Sequence, residues 1–246
     1  MSYEPRTYRR TVDPGDLTCF EVAIAQTDLQ ICALSDLRDM AEDLIVQARW
    51  GLEEYIRAHP HFAETLAPVD APDSAPEIVR RMSEAAQFAR VGPMAAVAGA
   101  IAEHVARGLA GKSPEVIVEN GGDVYLMGTQ DRVLALWAGE RGVRDIGLLV
   151  PGALMPFGVC TSSGRIGHST SFGDADAVTV LARNGALADA VATALANQIR
   201  EPADIDRAIE VARTVTGVLG LVATIDGHLG AWGNVKLVSL AGDSGS

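Results

Sequence analysis

Residues 177–195 read Ala177-Val178-Thr179-Val180-Leu181-Ala182-Arg183-Asn184-Gly185-Ala186-Leu187-Ala188-Asp189-Ala190-Val191-Ala192-Thr193-Ala194-Leu195. The first six residues predict a strand, Asn184-Gly185 interrupts it, and the Ala- and Leu-rich run that follows predicts a helix from about Ala186 to Ile199. Asp189 and Thr193 stand four apart, so on that helix they project from one face. Both offer hard oxygens suited to Mg2+ or Ca2+, with backbone carbonyls, waters or a substrate phosphate left to complete the shell. The same pair also suits an ordinary helix, with a solvated Asp and a Thr bonded back to a carbonyl, and that is its commoner meaning.

Working outward, short strands are predicted at Glu115–Glu119, Val124–Met127, Val133–Ala138, Asp145–Val150 and Gly158–Thr161. After the helix at 186–199, another is expected from about Pro202 to Val215. A closing hairpin then pairs Val218–Ile225 with Ala231–Leu240 around Asp226-Gly227. Toward the N-terminus, Tyr8–Val12, Asp16–Gln26 and Leu29–Leu34 read as a meander. Helices follow after Ser35, taken as an N-cap, then from Ala75 to about Arg90 and from Met94 to about Leu109. Pro60, Pro68, Pro72 and Pro76 punctuate a stretch that is either a lid or a packed connector. The expectation is an α+β (mixed α/β) fold, a single domain over residues 1–246 with a largely antiparallel sheet and packed helices.

Composition narrows the function classes. Hydrophobic residues make up 48% and charged residues 21% of 246 residues, which excludes intrinsic disorder as the main state. Lys plus Arg number 20 against 32 Asp plus Glu, a net charge of -12 that disfavours nucleic acid and anionic membranes as partners. Neither a signal-peptide core nor an apolar run of bilayer length is present, and the three cysteines show no CxxC or metal-finger spacing. These features predict a cytoplasmic protein, with its cysteines in a reducing compartment and not in a disulfide scaffold.

Three further segments carry possible chemistry. Gly158-Val-Cys-Thr-Ser-Ser-Gly164 runs a strand into small hydroxyl residues and a glycine, a turn able to aim N–H groups and hydroxyls at a phosphate, or simply a hydrogen-bonded turn. His168, between Gly167 and Gly173 and among hydroxyls, is a candidate for proton transfer, although a loop His is more often a surface residue. Asn120-Gly121-Gly122-Asp123 is a tight connection between strands whose two polar ends can contact a ligand, or only a hairpin turn. Cys160 lies beside this chemistry, and buried inert thiol is its commoner reading.

The order of these pieces, from Asn120-Gly-Gly-Asp123 through Thr161-Ser-Ser-Gly164, His168, the strand 177–182 and Asp189 with Thr193, resembles the ApbE-like superfamily over roughly Gly92 to Leu240. The first ninety residues match it poorly. Characterised members are FAD:protein FMN transferases. The resemblance implies Mg2+ on Asp189 and Thr193, with a backbone carbonyl near Val97 as the third protein ligand. It places Asn120, Gly121, Gly122 and Asp123 against a flavin nucleotide (FAD or FMN), and Thr161, Ser162, Ser163 and Gly164 near its phosphates. His168 falls where the catalytic His lies.

The implied activity is Mg2+-dependent FMN transfer to a protein hydroxyl, or hydrolysis of FAD to FMN and AMP. Partners would be a flavin nucleotide and a protein acceptor, with homo-oligomerisation left open. Two departures matter: Ala98-Gly99 stands where the family has Lys-Gly, with Glu103 as the acidic residue after it, and Ser169-Thr-Ser-Phe-Gly173 replaces the family's residues after the His. They support an alternative, a non-catalytic flavin- or nucleotide-binding accessory protein of a cytosolic sulfur or cofactor pathway.

Overall fold

In the computed structural model, which describes residues 12–136, 145–164 and 173–240, a hairpin of β1 (Thr18–Ile24) and β2 (Thr27–Ala33) comes first. Helices α1 (Arg38–Ala58), α2 (His61–Glu64), α3 (Glu77–Ala89) and α4 (Val97–Leu109) follow. Then come β3 (Val116–Asn120), β4 (Asp123–Met127), β5 (Arg132–Leu136), β6 (Ile146–Val150), β7 (Phe157–Ser162) and β8 (Ala177–Ala182). The chain continues through α5 (Gly185–Ala196), α6 (Asp204–Thr214), β9 (Val218–Ile225), β10 (His228–Gly233) and β11 (Lys236–Ser239).

Eight strands form one sheet in the order β1-β2-β3-β4-β7-β8-β9-β10, and three form another in the order β11-β6-β5, with antiparallel pairing throughout. The expected mixed fold with a largely antiparallel sheet is thus observed. The large sheet is covered on both faces, so its strands carry apolar residues at successive positions, each alternate residue serving a different layer. On β4, Val124 and Leu126 join Leu134, Leu148, Val150, Phe157 and Leu181 beneath the small sheet, whereas Tyr125 packs with the helices. On the helical side, α1 and α4 cover the β1–β4 half, α5 and α6 cover β7, β8 and β9, and α3 packs on α1, α4 and α5. Because β7 and β8 are hydrogen-bonded neighbours and α5 follows β8, that helix lies along the middle of the sheet, where its flanks are buried.

Several sequence expectations are corrected. Ser35 does not cap α1: the helix starts after Leu37, and the Asp36 carboxylate accepts the Arg38 N–H at 3.0 Å. Between Gly92 and α4 the chain first makes a tight 3-10 turn at Pro93–Ala96. The predicted last strand divides in two, because Gly233 turns the backbone at φ 86° and sends β11 away from β9 to pair with β6. Cys19 and Cys32, directly opposite on β1 and β2, form a disulfide, so the reading of the cysteines as thiols of a reducing compartment is corrected for that pair. Thirteen residues of sequence separate them, and only the hairpin register brings them within 4.1 Å between Cα atoms.

The proline-punctuated stretch is a packed connector. Phe62 is buried against Tyr55, the Ser83 hydroxyl donates to the Val69 carbonyl, and Gln87 donates to Asp70 at 2.8 Å. Of the predicted strand Tyr8–Val12, only Val12 lies among the described residues, where it bridges to Leu134. Among the described residues no single helix is long and apolar enough to cross a membrane.

Candidate active site at the α4–α5 seam

Three glycines decide how closely the elements around Asp189 approach. A Cβ on Gly99 would strike the Gly185 carbonyl oxygen, one on Gly185 would strike that of Gly99, and one on Gly158 would fall 2.8 Å from the Gly185 Cα. The start of α5 therefore sits backbone to backbone on α4 and on β7, an approach that side chains would forbid. Asp189, one turn into α5, is buried at this seam, and its Oδ2 accepts the Gly99 N–H at 3.0 Å.

The sheet supplies the facing groups. Asn120 and Asp123 are paired positions flanking the Gly121-Gly122 turn between β3 and β4, and Asp123 is also paired with Cys160 on β7. Gly121 and Gly122 have φ of 67° and 109°, and open space lies where their side chains would be. The Asn120 amide donates to the Ala98 carbonyl at 3.1 Å, tying the end of β3 to α4. Asp123 is buried beside the Thr161 N–H and the Cys160 thiol, whose own donor contact is the Gly185 carbonyl at 3.6 Å, and hydrogen bonding from these two groups acts to lower its carboxyl. Burial outweighs these bonds and pushes its carboxyl up to about 7. For Asp189, burial first and the charge of Asp123 second hold the carboxyl well above the usual range, against hydrogen bonds from the Gly99 and Ala98 N–H groups. Two acidic groups thus share one buried place, and among the described residues neither forms an ion pair.

The structure brings Asn120, Asp123 and Asp189 together, with Gly121 and Gly122 at the open edge. Thr193 is half-buried one turn beyond Asp189 on α5. Thr161 takes part through its backbone: its hydroxyl lies 2.9 Å from that of Thr179, on the opposite face of the sheet from Cys160, as strand alternation requires. Ser162 ends β7, and Ser163 and Gly164 close onto the segment across the loop, with the Gly164 N–H donating to the Ala175 carbonyl at 2.9 Å. His168 lies outside the described residues. Cys160 is fully buried, and burial, then the neighbouring Asp123 and Asp189, pushes its thiol well above the ordinary range, which matches the inert reading.

Sequence reasoning used Gly158 and Gly185 only as a strand start and a strand break, took Gly99 among the small residues 95–100 as a sign of close packing, and named Glu103 only against the family pattern. Glycines spaced along different elements give no periodic signal. Glu103 did leave a trace, an acid directly after the apolar run Val97–Ala102.

A model of the family described as AbpE bacteria matches residues 9–218. The chain belongs to this family. The match takes in residues 9–90 together with the motif-bearing part as far as Val218. The UPF0280 protein of Methanocaldococcus jannaschii is 42% identical over 201 residues, covering 79% of this chain and 82% of that protein. A UPF0280 protein of Methanocella arvoryzae is 37% identical over 216 residues, covering 87% and 88%. Among solved structures, the flavin transferase ApbE from Vibrio cholerae superposes with a TM-score of 0.55 at 13% identity, over 88% of this chain and 96% of that one. The Pseudomonas stutzeri flavinyl transferase ApbE, apo form, gives a TM-score of 0.57 at 12% identity, over 88% and 94%. This AbpE family member therefore shares the fold of the ApbE transferases.

The donor set suits a hard divalent cation. Two carboxylates, both raised by burial and Asp189 further by the charge of Asp123, lack a cationic partner among the described residues, and a 2+ ion would relieve both. No group of three or more His, Cys, Asp and Glu side chains is set to hold a metal among the described residues. Coordination would therefore draw on Thr193, main-chain carbonyls, waters or a phosphate, an oxygen shell of the kind Mg2+ takes.

Proposed function

We propose that this protein is a Mg2+-dependent flavin-nucleotide enzyme, acting on the diphosphate of FAD to transfer FMN to a protein hydroxyl or to hydrolyse FAD to FMN and AMP. The observation that carries the reading is the buried Asp123–Asp189 pair beside the open Gly121-Gly122 turn, in a chain that shares the fold of flavin transferases. Bound by Asp189 and Thr193, Mg2+ would neutralise the diphosphate and stabilise charge on the leaving phosphate.

The chain's own residues do the rest. Gly121 and Gly122 leave room for a ligand to approach the backbone at the strand ends. Asn120 and Asp123 orient the nucleotide there, and the Thr161–Gly164 segment lies toward its phosphates. His168 is proposed to take the proton of the attacking hydroxyl or water as its oxygen bonds to the FMN-side phosphorus and the bond to AMP breaks. The protein is further proposed to act on a protein acceptor.

The test is direct: purified protein incubated with FAD and Mg2+, with and without a hydroxyl acceptor, should release AMP, and Asp189→Ala should release none. No AMP from the wild type would overturn the enzymatic reading. Tight flavin binding without turnover would instead support an accessory binding role, which Ala98 in place of the family's Lys favours.

A further inference from the structure

Glu103, on α4, is 1% exposed. Its Oε1 accepts hydrogen bonds from Arg81 Nη1 at 2.8 Å and from Arg107 Nε at 2.7 Å, so guanidiniums from α3 and from the next turn of α4 neutralise it. Its Oε2 accepts the backbone N–H of Gly185 at 2.8 Å. Gly185 opens α5, and N–H groups in the first turn of a helix have no partner within it. The Asn184 side chain serves Leu187 in that turn at 2.7 Å, which leaves Gly185 to Glu103.

One turn earlier on α4, the Gly99 N–H holds Asp189 itself. Helix α4 therefore grips α5 at two points, and the backbones of Gly99 and Gly185 touch at the same seam. A carboxylate kept out of water beside two arginines is expensive to hold, and a plain helix contact would not require it.

We propose that Glu103 is a positioning residue for Asp189: by tying the first residue of α5 to α4, it sets the carboxylate one turn further on into register with Asp123. The inference rests on the reading of Asp189 as a cation ligand. With the tie lost, the start of α5 loosens, Asp189 samples other positions, and a cation is held less well, even though Glu103 does not touch it. Arg81 and Arg107 act through Glu103, keeping its charge matched and its orientation fixed.

The experiment uses the full chain, with Mn2+ as the probe. Calorimetry and electron paramagnetic resonance measure Mn2+ affinity, and hydrogen exchange followed by mass spectrometry reports on peptides covering the start of α5. Glu103→Gln keeps the size but has only one acceptor oxygen, so its amide must face either the guanidiniums or the Gly185 N–H. Faster exchange at the start of α5, and a Mn2+ Kd raised at least about tenfold, are expected with the fold intact by circular dichroism. Asp189→Asn should abolish binding without the same change in exchange at Gly185.

Wild-type affinity in Glu103→Gln, with binding lost in Asp189→Asn, would overturn the positioning role while leaving the cation site standing. No Mn2+ binding by the wild type would overturn both. Should Glu103→Gln fail to fold, Arg107→Ala removes a half-exposed partner and leaves Arg81 in place. A weakening of about two- to fivefold is expected from it, and unchanged affinity would count against the proposal.

Discussion

Asp123, the first residue of β4, and Asp189, one turn into α5, share a buried place, and the charge of Asp123 pushes the Asp189 carboxyl further above its usual range. Without a cation this proximity is a cost to the folded state, so removing one charge should help the metal-free protein. Asp189→Asn, whose amide oxygen can still accept the Gly99 N–H, should raise the metal-free Tm at pH 8 by a few degrees. It should also eliminate any further rise on adding Mg2+. Differential scanning calorimetry with and without Mg2+ checks both halves.

The pH dependence follows from the same pair. Asp123 is raised from 3.8 to about 7, and Asp189 is shifted the same way. Between these limits the folded protein holds protons that the unfolded chain has released. The stabilisation is complete below about pH 4 and is lost as pH rises through about 7. Each such group contributes a slope of at most about 1.4 kcal/mol per pH unit in that window. Urea denaturation of the metal-free protein at pH 5, 6, 7 and 8 should show falling stability, with a shallower fall in Asp123→Asn. Cys160, raised by burial first and by the same neighbours second, stays a thiol across this range.

Gly99 is a geometric requirement. A methyl group there meets the Gly185 carbonyl oxygen and comes within 2.9 Å of the Asp189 Cβ, in a place walled by backbone. Gly99→Ala should destabilise the protein by about 1–3 kcal/mol, the usual range for overpacking. Equilibrium urea unfolding measures it, and a loss below about 0.5 kcal/mol would show that α4 and α5 can separate cheaply.

The cysteines should separate into two classes by reactivity. Cys160 is fully buried, and its thiol resists ionisation, so it should react slowly with iodoacetamide in the native protein near neutral pH. Reduction of the Cys19–Cys32 bond, which closes a short loop, should lower stability by about 2–3 kcal/mol. Mass mapping of alkylated peptides before and after reduction, together with urea curves of Cys19→Ser, distinguishes the two.

What the sequence determined by itself is local. The strand at 177–182 was placed at its observed bounds, and α5 to within a few residues, because β-branched residues, the Asn184-Gly185 break and an Ala-rich run act over a few positions. Asn120-Gly-Gly-Asp123 was legible as a turn with two polar ends for the same reason, since its glycines take up positive φ.

Tertiary structure alone decided the rest. Sheet register sets Asp123 opposite Cys160 and Cys19 opposite Cys32, and the departure of β11 to a second sheet follows from long-range pairing of Lys236 with Leu149 and of Ser239 with Ile146. The approach of Asp189 to Asp123 depends on three glycines from α4, β7 and α5 meeting at one seam, and on Glu103 reaching from one helix to the first N–H of another. Such contacts join groups far apart in sequence, and their energies come from burial and complementary shape. No local propensity encodes them, which is why the two carboxylates were readable as separate candidates and only the fold made them a pair.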